Sequence, residues 1–147
     1  MKVAVIMKFS TILLVLGFLT ALPAARADES NQATKVTFSQ PIQIPGRVLP
    51  AGTYWFMLPE SDTEHDQVRI YNADQTVYYG TLLTINAVRR QTTEKSAFTF
   101  SAHDSTQPQA LISWFYPGET SGHQFLYPKR ESKELAKTKQ VSVVAGD

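Results

Sequence analysis

Two kinds of apolar pattern divide this 147-residue chain. From Phe9 to Leu22 the side chains are apolar almost without a break, interrupted only by Ser10, Thr11, Gly17 and Thr20. Beyond residue 33 the apolar positions fall instead into short runs, many alternating with period two and separated by turn residues. Lys35-Val36-Thr37-Phe38-Ser39 alternates as a half-buried strand does. Pro41 to Gly46 reads as a short extended edge piece held by two prolines. Pro50-Ala51-Gly52 reads as a tight turn in which the glycine takes a positive φ. Thr53 to Leu58 is so continuously apolar that neither face is expected at the surface.

Further along, Gln67 to Tyr71 puts Val68 and Ile70 on one side, and Asn72-Ala73-Asp74-Gln75 is a hairpin signal. Thr76 to Val88 predicts a long strand bent or broken near Gly80, because glycine within a strand commonly marks a bulge. Strands over Ala97–Ala102, Ala110–Tyr116 and Gln124–Tyr127 complete the set. Seven or eight strands at roughly ten-residue spacing define an all-β fold. An antiparallel β-sandwich is expected, with a small closed β-barrel as the alternative. The domain runs over 34–128, after a leader at 28–33. Most runs are shorter than the roughly ten residues of a lipid-facing barrel strand, which argues against an outer-membrane barrel. The charged segment 129–147 favours helix by composition over 131–140 but has only Leu135 and Ala136 there to bury. A short helical or disordered tail is expected.

The uninterrupted run near the N-terminus has a different meaning. Lys2 and Lys8 precede it, Pro23 ends it, and Ala25-Arg26-Ala27 supplies small residues where a signal peptidase reads. Its length, about 14 residues, falls short of the roughly 20 that a spanning helix needs. A cleavable signal peptide over 1–27 follows, with export to the periplasm or the cell exterior and no transmembrane span in the mature chain. Cleavage would also change the charge. Lys2, Lys8 and Arg26 leave with the signal, so eleven basic residues face thirteen acidic ones. Six basic and ten acidic side chains lie in 28–128, and five and three in the remainder. An acidic body argues against nucleic acid, which needs a basic face. Cysteine is absent, which rules out disulfides and cysteine-linked lipid. Stability must then come from packing of the aromatic residues.

Three stretches carry a resemblance. They are Gln43-Ile44-Pro45-Gly46-Arg47-Val48-Leu49-Pro50-Ala51-Gly52-Thr53-Tyr54, then Val68-Arg69-Ile70-Tyr71-Asn72-Ala73-Asp74-Gln75-Thr76, then Trp114-Phe115-Tyr116-Pro117-Gly118 with Phe125-Leu126-Tyr127-Pro128-Lys129. In this order, over about 34–130, the chain resembles a group of short exported β-rich proteins of unknown function from acidobacteria-type soil bacteria. The resemblance implies export and an all-β fold, and it implies no activity or ligand. Gln75 stands where that group has glycine, so a positive φ there would cost about 1 kcal/mol.

Candidate chemistry is sparse. No Gly-x-Ser-x-Gly elbow occurs, and Ser101, His103 and Asp104 are too close in sequence to read as a triad, which is assembled from separate elements. His65, His103 and His123 fall near strand ends with Glu64, Asp66, Asp104 and Glu119 near them. Such sets suit zinc or copper, and Asp62, Glu64 and Asp66 suit calcium, but the spacing matches no metal motif. Trp114, Tyr116, Tyr78 and Tyr54 are candidates for a stacking platform, with Trp114 and Tyr116 as its centre; aromatic filling of the core is the competing reading. Arg89, Arg90 and Lys95 form a small basic spot at a hairpin tip. No catalytic residue, metal or cofactor is assigned. The expectation is a non-enzymatic exported binding or interaction domain for an envelope protein, small molecule or glycan. The alternative is a metal-binding or hydrolytic enzyme using the histidine and carboxylate loops.

Overall fold

The computed structural model describes residues 24–28, 32–60, 64, 66–102 and 106–145. Residues 1–23, which hold most of the expected signal peptide, and residues 29–31 of the expected leader lie outside them. Among the described residues there are eleven strands and one short helix: β1 (Ala24–Asp28), β2 (Ala33–Phe38), β3 (Ile42–Ile44), β4 (Arg47–Leu49), β5 (Gly52–Met57), β6 (Gln67–Asn72), β7 (Tyr78–Val88), β8 (Ala97–Ala102), β9 (Gln109–Phe115), β10 (Ser121–Phe125), α1 (Lys129–Leu135) and β11 (Lys139–Val144).

The all-β expectation holds. The strands form one hydrogen-bonded sheet in the order β1-β2-β5-β6-β7-β10-β9, after which β9 is flanked by β3-β4 and by β8-β11. The eleven residues of β7 are the corner of the fold. Gln67–Tyr71 of β6 pairs with its first part and Ser121–Phe125 of β10 with its last, so one strand serves both halves. Gly80 adopts φ +139° and the β6–β7 register shifts between Ile70 and Tyr71, which is the break expected at that glycine.

The two halves face each other across aromatic side chains. Phe38 of β2 meets Phe98 and Phe100 of β8, and Phe56 of β5 meets Phe98, Trp114 and Phe125, all at centroid separations of 6.0–6.3 Å. Most of these pairs are edge-on, the arrangement that ring quadrupoles favour. Each fully buried apolar side chain of this kind contributes roughly 1.5–3 kcal/mol. This packing stands in place of disulfides in a chain without cysteine.

Four particulars differ from expectation. The sheet is mixed, because β3 runs parallel to β9 through Ile42↔Gln109 and Gln43↔Ala110. It is open, which sets aside the alternative of a closed barrel. Thr34 of β2 and Ser96, just before β8, join through their hydroxyls (2.9 Å), but no backbone ladder links those ends. Strands outnumber the seven or eight expected: β1 precedes the expected domain, the edge piece at 41–46 becomes one arm of a hairpin with β4, and β11 forms in the charged segment. Ile42–Ile44 and Arg47–Leu49 are a hairpin around Pro45-Gly46, with Gly46 at φ +85° as a type II turn requires. Lys139–Val144 pairs with β8 along its whole length, so the charged segment is part of the domain. Before it, α1 docks through Leu135, which packs with Ala110 and Ile112 of β9 and with Tyr127. Finally, Gly52 has no positive φ. It opens β5 opposite Phe38, and Pro50 is held instead by its carbonyl, which accepts the Tyr54 hydroxyl (2.6 Å).

At the other turn, Gln75 has φ +60°. Asn72 and Asp74 hold it there: Gln75 N donates to Asn72 O, Val77 N to Asn72 Oδ1, and Thr76 N and Oγ1 to Asp74 Oδ1. Those bonds hold the exposed Asp74 carboxyl below the usual carboxylate range.

Candidate functional site

A polar cleft of about 350 Å³ opens where β7 and β10 leave the core, lined by Gln32, Asp66, Asn86, Glu119, Ser121 and His123, with Gly122 beside them. Three elements deliver its ionisable groups. His123 lies on β10 opposite Asn86 of β7 and Trp114 of β9. Its ring rests against the Trp114 indole (5.4 Å, 30°), and its Nδ1 is 3.3 Å from Thr84 Oγ1. Asp66 is anchored through its backbone, whose carbonyl accepts Thr84 N (2.7 Å). Glu119 follows the Pro117-Gly118 turn, with Gly118 at φ +77°.

Arg89 fixes that turn. It donates from Nε to Glu119 O, from Nη1 to Thr93 Oγ1 and from Nη2 to Tyr116 O, and its guanidinium lies 4.9 Å from the Phe115 ring centroid. Burial lowers its pKa. One member of the expected basic spot is therefore a clamp between two loops.

His123, Asp66 and Glu119 thus line one cleft. Glu64 does not join them; it pairs loosely with Arg69 (3.7 Å). His65, His103, Asp104 and Asp62 lie outside the described residues. Among the described residues no group of three or more His, Cys, Asp or Glu side chains is placed to hold a metal ion. Ser101 is fully buried and hydrogen-bonded to the Thr138 hydroxyl, which takes it out of any nucleophilic role. The cleft presents hydrogen-bonding groups of both kinds, two carboxylates and one imidazole, and its size suits a small polar molecule.

The expected aromatic platform is not centred on Trp114 and Tyr116. Trp114 is wholly buried (0% exposed), and its Nε1 has no hydrogen-bond partner among the described residues. Tyr116 is half-buried against the core. Tyr54 is buried too, and burial followed by the nearby Tyr79 raises its pKa. The reason lies in β9, both faces of which are covered. Its inner side meets Phe56 and His123, while Leu135, Tyr127, Gly122 and Arg89 cover the other. The Tyr127 hydroxyl donates to the carbonyls of Leu111 (2.8 Å) and Gln43 (3.1 Å), and burial pushes its pKa well above the usual tyrosine value.

Exposed aromatics occur instead on the outer face of β5–β6–β7. Thr53 to Met57 alternates, with Tyr54 and Phe56 inward and Trp55 and Met57 half-exposed, contrary to the expectation that this run is covered on both sides. Register places Trp55 opposite Tyr71, and Tyr71 opposite Tyr78, which is 53% exposed. The hairpin signal at Asn72–Gln75 holds the information that aligns Tyr71 with Tyr78; the partner of Trp55 depends on a longer connection.

The fold and its surfaces define an all-β domain with a polar cleft and an aromatic outer face. No protein-family model, curated protein or solved structure matches the chain.

Proposed function

We propose that this is a non-enzymatic exported binding domain whose cleft between β7, β10 and the Asp66 loop takes a small polar ligand. The observation that carries the reading is the convergence of Asp66, Glu119, His123, Asn86 and Ser121 on one cavity of about 350 Å³. Paired acceptors beside an imidazole favour a ligand that offers hydroxyl or amino donors. Export rests on the N-terminal pattern, cut after Ala27, and the resemblance to short exported proteins agrees with it. Such a cut would remove four of the five β1 residues, so β2 would become an outer strand of the mature domain.

The test is a thermal-shift screen of amines, amino acids and polyols on the signal-free protein, repeated with His123→Ala and Glu119→Gln. A ligand that raises the melting point of the parent and of neither variant supports the cleft. A ligand-induced rise that both variants keep contradicts it. Fractionation of expressing cells tests export separately.

A further inference from the structure

The outer face of β5–β6–β7 holds a row of side chains that the core does not use. Lys35 of β2 is opposite Trp55, Trp55 opposite Tyr71, and Tyr71 opposite Tyr78, so one row crosses four neighbouring strands. The Tyr71 and Tyr78 rings are 5.2 Å apart, and Lys35 Nζ is 5.7 Å from the Trp55 ring centroid. The indole is fixed in place, since Nε1 donates to Ala73 O (3.0 Å). Hydroxyls border the row on both sides: the bonded pair Thr37 and Thr53, and Thr81, which is opposite Arg69. Lys35 supplies positive charge to this face of an otherwise acidic body, and Arg69, loosely paired with Glu64 (3.7 Å), adds a part of its own.

We infer that this row binds an extended polysaccharide bearing carboxylates, a linear polyuronate in chemical class. Strands are spaced about 4.8 Å apart, so three rings on adjacent strands make a ladder whose step resembles that of successive sugars in an extended chain. A pyranose offers a face of C–H groups that packs on an aromatic ring, with hydroxyls at its rim to meet the threonines. The carboxylates are complementary to Lys35 and Arg69. Cross-strand aromatic pairs also stabilise sheets, but that role does not call for a ring half-exposed beside a cation. Single-stranded nucleic acid uses stacking and cations as well, and it is the competing occupant that the test includes. This site is separate from the cleft and stands or falls without it.

The test uses affinity gel electrophoresis of the signal-free protein with polygalacturonate, an uncharged β-linked glucan and an oligothymidylate as probes. The polygalacturonate is expected to retard the protein and to shield Trp55 from iodide. Tyr78→Ala is expected to weaken that binding about tenfold, equivalent to ~1.4 kcal/mol. Lys35→Gln is expected to remove the preference over the glucan. Val88→Ala, on an exposed residue off the row, is expected to bind as the parent does. No retardation by polygalacturonate, equal binding of the glucan, tighter binding of oligothymidylate, or indifference to Tyr78→Ala would each overturn the inference.

Discussion

The two tryptophans sit in strands of similar composition and have opposite fates. Trp55 is flanked in β5 by Tyr54 and Phe56, and Trp114 is followed in β9 by Phe115, yet Trp55 is half-exposed and Trp114 is fully buried. The strands themselves do not explain this. β5 has one covered face, whereas β9 is covered by the core on one side and by α1, Tyr127, Gly122 and Arg89 on the other. Exposure is thus decided by what packs over a strand's second face, and most of those covering groups, Tyr127 excepted, come from segments that read as turn and tail.

That contrast can be broken experimentally, beginning with the largest effect. Trp114→Ala is expected to cost about 3–5 kcal/mol in chemical denaturation, as large aromatic truncations in cores do. Trp55→Ala, which keeps one face in solvent, should cost much less, about 1 kcal/mol. Comparable losses would mean that the outer face of β5 is covered.

Gly122→Ala comes next. A Cβ there would lie 2.4 Å from a Phe115 ring carbon and 2.6 Å from the Trp114 carbonyl oxygen. The backbone contact cannot be relieved by a rotamer change, so a loss of about 1–3 kcal/mol is expected in the same measurement. Arg89→Ala should cost about 1–2 kcal/mol, because three hydrogen bonds and the cover over Phe115 go together; an Arg89→Lys variant should recover only part of it.

Alkaline pH probes the cover through Tyr127. Its folded pKa lies above the unfolded value of about 10, so the folded state holds the proton more tightly. The contribution is fully present below pH 10 and is lost as pH rises above it, where the unfolded chain ionises first. Thermal melts from pH 8 to 11 should therefore show a decline above pH 10, and Tyr127→Phe should flatten it, leaving the smaller share due to Tyr54. The smallest effect is a gain. Gln75 sits at φ +60°, and Gln75→Gly is expected to raise stability by about 0.5–1 kcal/mol.

How far the fold is legible in the chain follows from the same contrast. Strands that alternate over one buried face, such as Val68/Ile70 and Phe98/Phe100, are legible, and so is the break at Gly80. The β3–β4 hairpin is too short to register as two strands. β11 is hidden by the lysines before and at its start, Lys137 and Lys139, although its pairing with β8 covers six residues. The helix has a single apolar anchor, Leu135, and one docked side chain carries no periodic signal. Of the candidate site, His123, Asp66 and Glu119 are recognisable as residue types, but their convergence depends on the way β7 turns the sheet's corner. The aromatic row escapes a linear reading because its members lie on three strands whose alignment is set by backbone register.

The most direct test is iodide quenching of the two single-tryptophan proteins. Trp114→Phe leaves emission from Trp55 alone, and Trp55→Phe leaves emission from Trp114 alone. The account predicts ready quenching in the first protein, and blue-shifted emission nearly indifferent to iodide in the second. Equal quenching of the two, or a protected Trp55, would contradict it.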